Sequence, residues 1–119
     1  MLKLLHNISM ISDQTRVRYA DDSISLTLWF DEKGNILAFE IIFGLLVDEW
    51  AFLYHRKGSE RYCRVDQGEN RIGRPQKQIL TGNSTLPTER VIEFEKSSQS
   101  IFVKHREFVL NILKKSNVQ

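Results

Sequence analysis

One stretch decides the fold, Asp22 to Asp66: DSISLTLWFDEKGNILAFEIIFGLLVDEWAFLYHRKGSERYCRVD. In its first segment, Ser23 to Phe30, apolar Ile24, Leu26, Leu28 and Phe30 recur at every second position. Such alternation marks a strand buried on one side, because successive side chains point to opposite faces of the pleat. The next segment, Ile36 to Phe43, is apolar except at Glu40. Between them Asp31-Glu32-Lys33-Gly34-Asn35 is turn-rich. Two registers compete. A three-residue loop with a bulge at Gly34 pairs Asp31 with Asn35 and sets Leu26 against Glu40. A two- or four-residue loop pairs Asp31 with Ile36, and sets Phe30 against Leu37, Leu28 against Phe39, Leu26 against Ile41 and Ile24 against Phe43. The second register makes one wholly apolar face and sends Glu40 to Thr27 on the other. A one-residue slip moves every side chain across the sheet, so burial selects the second.

The third and fourth strands are expected at Trp50 to Arg56 and Arg61 to Asp66. Gly58-Ser59 suits the centre of a two-residue type II′ turn. That turn pairs Arg56 with Arg61, His55 with Tyr62, Tyr54 with Cys63 and Phe52 with Val65. Cys63 and Val65 then point inward with Trp50, Phe52 and Tyr54, while Leu53, His55, Tyr62, Arg64 and Asp66 point outward. Gly44 to Asp48 carries Leu45, Leu46 and Val47. These either extend the second strand or form a sticky loop at a partner surface.

Outside this stretch the pattern is less regular. Leu2, Leu4 and Ile8 suit a short edge strand or a helical turn, and residues 13–19 read as a short connecting helix. Gln67 to Gln78 is polar and aperiodic, with Gly68, Gly73 and Pro75. A loop of that length is uncommon in a small domain, and is usually either functional or mobile. Ile79-Leu80 returns to the body, and Thr81 to Ser84 forms a turn-like spacer. Pro87 suits a helix start, and Val91, Phe94, Ile101, Phe102, Val109, Ile112 and Leu113 follow a period near 3.6. Two helices are expected, about 88–97 and 101–115, with Ser97 or Ser100 capping the second; Arg90, Ile92, Phe94 and Lys96 also alternate as in a strand, the other reading of 89–96. Phe102, Val109, Ile112 and Leu113 would lie against the sheet. The expected class is α+β: a four-stranded antiparallel meander (about 23–30, 36–43, 50–56, 61–66) with two C-terminal helices on one face, in a single domain spanning 1–119.

The 119 residues are 41% hydrophobic and 27% charged, with a net charge of +2. This is ordinary globular composition, and the charge is too small to signal a polyanion partner by itself. One cysteine permits no intrachain disulfide. No apolar run reaches the roughly 18 residues of a membrane span, and Met1 to His6 lacks a leader pattern. The expectation is cytoplasmic, without a membrane partner.

Chemistry-bearing motifs are sparse. His6, His55 and His105 are scattered, and none has metal-ligand spacing. Cys63 and His55 fall on opposite faces in the expected register, which keeps a thiol from its base. Gly68 to Gly73 lacks the Lys-Ser/Thr of a phosphate loop. Arg64 beside Asp66 lowers rather than raises a carboxylate pKa, against an acid–base role for Asp66 and Glu69. No cofactor, metal or catalytic residue is therefore expected. What stands out is basic: Arg56, Lys57, Arg61, Arg64, Arg71, Arg74 and Lys77 against Glu60, Asp66 and Glu69, a local excess of four positive charges. Arg56, Arg61, Arg64, Arg71, Arg74 and Lys77 form a candidate anion-binding set for a phosphate group, a nucleic-acid backbone or an acidic protein. The alternative is a solvated charged face with internal pairing to Asp48 or Glu49.

Arg64-Val65-Asp66-Gln67-Gly68-Glu69 followed by Pro75, Trp29-Phe30-Asp31 with its turn, and Glu49 with Ala51 resemble a group of short, uncharacterised bacterial proteins. The resemblance spans roughly the middle half of the chain. That group more often carries an aromatic followed by Asp where Phe43-Gly44 stands here. It implies a compact bacterial domain with the meander intact, and no activity. Three functions compete: a small binding module, including a homodimer through an edge strand or the Gly44 to Val47 loop; a nucleic-acid binder; and an enzyme with a site between the 67–78 loop and the outward sheet face around His55, Arg64 and Asp66.

Overall fold

Ile24, Leu26 and Leu28 are fully buried, and they face Phe43, Ile41 and Phe39 on the next strand. This is the register that burial selects, with Glu40 opposite Thr27 on the far side. The turn, however, is of the other kind. The Asp31 N–H donates to the Asn35 carbonyl, and Gly34 sits at φ 83°. A register shift between Trp29 and Phe30 reconciles the two, pairing Phe30 with Ile36 rather than Leu37. The Asp31 carboxylate accepts the N–H groups of Lys33 and Asn35, which locks the loop.

The computed structural model describes residues 1–11, 14–66, 78–79 and 84–117. The class is α+β, but the sheet is larger than four strands. Six strands run antiparallel in sequence order: β1 (Lys3–Ile11), β2 (Gln14–Ala20), β3 (Ile24–Phe30), β4 (Ile36–Phe43), β5 (Trp50–His55) and β6 (Ser59–Asp66). A two-residue strand, β7 (Gln78–Ile79), pairs with the end of β6. The expected helix at 13–19 is β2. Val17 and Tyr19 alternate there with Arg16 and Arg18, and they pair with Leu28 and Leu26 on the core side. This extends the apolar face of β3 across one more strand.

The β5–β6 register also differs from expectation. Gly58 takes φ 105° as the last residue of a three-residue loop, and its N–H donates to the His55 carbonyl. His55 therefore pairs with Ser59, Leu53 with Arg61, Phe52 with Tyr62, Ala51 with Cys63 and Trp50 with Arg64. A shift of three residues reverses the parity of β6. Tyr62, 5% exposed, turns into the core, while Cys63, opposite Ala51, and Val65 turn to the outer face, where Val65 joins Ile42 and Ala51 in a small apolar cluster. Packing accounts for the choice. Tyr62 stacks on Trp50 at 5.1 Å between ring centres, whereas small Cys63 fits beside Ala51.

Helices α1 (Thr88–Ser97) and α2 (Val103–Asn117) cover the inner face. Pro87, extended at φ −71° and ψ 151°, precedes the first turn of α1. Ser98 closes α1 with its N–H on the Phe94 carbonyl. Arg106 of α2 donates to the Ser98 hydroxyl and to the Glu95 carbonyl, both at 3.0 Å, tying the helices together. Ser100 does not cap α2; its hydroxyl donates to the Leu2 carbonyl. Phe102 lies before α2 and is 53% exposed, so it does not pack on the sheet as expected. Val91, Phe94, Val109, Leu110 and Leu113 do, against Leu26, Leu28, Phe39, Ile41 and Phe52. Burial of each large side chain stabilises by roughly 1.5–3 kcal/mol. No helix among the described residues is long and apolar enough to cross a membrane.

Candidate functional site

The hairpin arginines do not converge. Arg56 lies in the β5–β6 loop, not opposite Arg61, and its guanidinium pairs with Asp31 at 2.5 Å. That contact, with the N–H groups of Asn35 and Lys33, holds the Asp31 carboxyl below its ordinary pKa. Arg61 is half-buried on the outer face opposite Leu53. Arg64 stands on the inner side opposite Trp50, exposed, and pairs with Asp48 at 3.2 Å. Arg71, Arg74 and Lys77 lie outside the described residues, as do Glu69, Gly68 to Gly73 and the side chain of Asp66. His55 and Arg64 face opposite sides, so the grouping of His55, Arg64 and Asp66 is not assembled.

Cys63 and His55 share the outer face after all. Their positions are still four residues apart along β5, because Cys63 pairs with Ala51. At about 3.4 Å per residue that is roughly 13 Å, beyond hydrogen-bond reach. Among the described residues no group of three His, Cys, Asp or Glu side chains could hold a metal ion.

A better-formed surface lies at the other end of the sheet, in the turn from β4 to β5. Leu45, Leu46 and Val47 do not extend β4, which stops at Phe43. Gly44 takes φ 69°, and the N–H groups of Val47 and Asp48 fold back onto its carbonyl. A Cβ at Gly44 would come within 2.5 Å of the Asp48 carbonyl oxygen, so only glycine fits. Leu46 is the one non-glycine at positive φ among the described residues, at 65°. Its N–H donates at 2.9 Å to Oε2 of Glu49, a carboxylate 1% exposed. Leu45 packs under the outer cluster, while Leu46 and Val47 stand 86% and 83% exposed. The chain spends a buried carboxylate and a glycine on displaying two apolar side chains to water.

Asp48 connects this tip to a cleft. One carboxylate oxygen accepts from the Trp50 indole at 3.3 Å and the other meets Arg64. Beyond Trp50 opens a cleft of about 400 Å³ lined by Trp50, Tyr62, Ser84, Thr85, Pro87, Glu89 and Arg90. Its floor is the stacked pair of Trp50 and Tyr62. Its wall is Arg90, which donates to the Tyr62 hydroxyl at 3.2 Å and to Glu93 at 3.0 Å, and lies 5.2 Å over the Phe43 ring. Burial opposes the Arg90 charge, but the bonds to Tyr62 and Glu93 outweigh it and hold its pKa above the ordinary value. Reading Tyr62 as outward hid this cleft from the sequence. Arg90, a single cation on a helix, gives no local signal of its own.

Comparison of the chain with protein-family models, with curated proteins and with solved structures gives no match in any of the three.

Proposed function

We propose that the protein is a small interaction module that pairs with a second copy of itself through the β4–β5 turn. One observation carries the reading: Leu46 is held at φ 65° with its side chain 86% exposed. A branched, non-glycine residue in that region costs on the order of 1–2 kcal/mol, and here no burial offsets it. Backbone strain of this kind concentrates where a surface has work to do.

Shape and charge favour a second copy as the partner. An apolar knob, Leu46 with Val47, stands beside an apolar cleft floored by Trp50, and Asp48 joins the two. A two-fold axis between them seats each knob in the other copy's cleft, the self-complementary arrangement of an isologous dimer. Exposed Glu89 lines the cleft, and exposed Arg64, opposite Trp50 and paired with Asp48, can pair with the other copy's Glu89 across the axis. An edge-strand route is less favoured, because the pairing of β1 with β2 shifts between Leu5 and Ser9, and an interrupted edge is a poor template.

The test is light scattering across a hundredfold range of concentration. A contact built on two exposed side chains should bury less than the roughly 1,000 Å² of stable interfaces, so association should be weak and concentration-dependent. Leu46→Ser with Val47→Ser should leave a monomer throughout. A wild-type monomer at every concentration would end the reading.

A further inference from the structure

The outer face of the sheet carries a second arrangement, separate from the turn. Trp29 pairs with Ala38, and Ala38 pairs with His55, so the three stand in one row across β3, β4 and β5. Arg16 extends the row on β2. The adjacent row runs Arg18, Thr27, Glu40, Leu53 and Arg61. Parity puts both rows on the side away from the helices.

Ala38 contributes only a methyl group between Trp29 on one neighbouring strand and His55 on the other. Neighbouring strands lie about 4.8 Å apart, which separates the two backbones by roughly 10 Å. A flat ring held between two others needs about 7–8 Å at ordinary contact distances. Trp29, Ala38 and His55 are each half-buried and so reach solvent. The Lys57 N–H donates to His55 Nδ1 at 3.2 Å, which fixes the imidazole. Trp50 has Tyr62 against it and Phe39 has Phe52 and Tyr54, yet no ring among the described residues stacks on Trp29 or His55.

The charge around the slot is positive. Lys3, opposite Ala20, faces the same side, and with Arg16, Arg18 and Arg61 it stands, among the described residues, against Glu40 and the buried Glu49. Arg18 is exposed and makes no ion pair among the described residues.

We propose that the Trp29–Ala38–His55 row is a slot for a nucleobase, and that Arg18 and its basic neighbours hold the phosphates of a single-stranded nucleic acid laid across β2 to β5. Aromatic faces accept any base, and guanidinium forks match phosphate oxygens, so the expected binding is tolerant of sequence and sensitive to salt. A free nucleotide offers the same ring and phosphate.

The experiment titrates the 119-residue chain into a labelled twelve-nucleotide oligothymidylate and follows anisotropy and tryptophan fluorescence. Binding should quench tryptophan emission in the wild type but not in Trp29→Phe, which should keep affinity within about threefold. Trp29→Ala should weaken binding about tenfold or more, and Arg18→Glu should weaken it and flatten its salt dependence. Displacement by thymidine monophosphate would mean that one nucleotide fills the slot; its failure to compete would mean that a strand is required. The proposal is overturned if neither ligand binds, or if Trp29→Ala binds as well as wild type at matched secondary structure. Leu46→Ser with Val47→Ser should leave this binding unchanged, so the slot and the dimer stand or fall separately.

Discussion

The buried carboxylate of Glu49 accepts the backbone N–H of Leu46 at 2.9 Å, three residues back along the same turn. This bond holds Leu46 in a conformation that its side chain disfavours. Glu49→Ala removes the acceptor and should destabilise the fold by about 1–3 kcal/mol, measured by urea denaturation. Leu46→Gly should be neutral or stabilising by up to about 1 kcal/mol, since glycine adopts positive φ without strain. The same variant should lose self-association. A stable variant that still dimerises would show that the Leu46 side chain is not the contact.

Gly44 allows no such freedom. Gly44→Ala would have to place its Cβ against the Asp48 carbonyl while keeping φ at 69°. The turn must then open, and the expected loss is about 2 kcal/mol or more. Gly34 also has positive φ but meets nothing within 4 Å. Gly34→Ala should therefore cost less, only about 1 kcal/mol. Equal midpoints for the two variants would contradict the geometry of the β4–β5 turn.

His105 supplies a pH dependence. Its Nδ1 lies 2.9 Å from the Tyr19 hydroxyl, and the rings of Phe30 and Phe102 stand 5.4 and 4.9 Å away. Burial lowers its pKa from the ordinary 6.5. The unfolded chain therefore takes up the proton first. Stability from this site is complete above about pH 6.5, falls as pH drops towards the lower folded value, and levels off below it. His105→Gln should flatten that part of a stability-versus-pH curve. A wild-type curve that rises on acidification through pH 6 would have the wrong sign.

Tyr62 tests the β5–β6 register. In the core, with its hydroxyl accepting from Arg90, Tyr62→Phe should cost about 1 kcal/mol and Tyr62→Ala about 3–5 kcal/mol. An outward Tyr62 would make both substitutions nearly silent in thermal denaturation.

Parity along single strands was legible before any coordinates. The alternation of Ile24, Leu26 and Leu28 against Phe39, Ile41 and Phe43 admits one buried register, and that register is observed. The Arg16 to Tyr19 segment was read as a connecting helix instead, because its alternation is too short to announce a strand until β3 stands beside it. The first helix runs Thr88–Ser97, as its period and Pro87 imply. Phe102 fits that period equally well, yet α2 begins after it, because Ser100 bonds to Leu2 instead of capping a helix there.

What the chain's order of residues determined by itself is local: the strands of the central stretch from Ser23 to Asp66, the two C-terminal helices, and turns around Gly34 and Gly58. The tertiary structure alone decided which face each side of the last hairpin presents, because Gly58 is compatible with a two- or a three-residue loop and only packing against Trp50 and Arg90 separates them. It also decided that Leu46 and Val47 meet water, and that Trp29 and His55 frame one alanine. Those relations join residues from different strands, and their energies arise only when the sheet has brought the strands together.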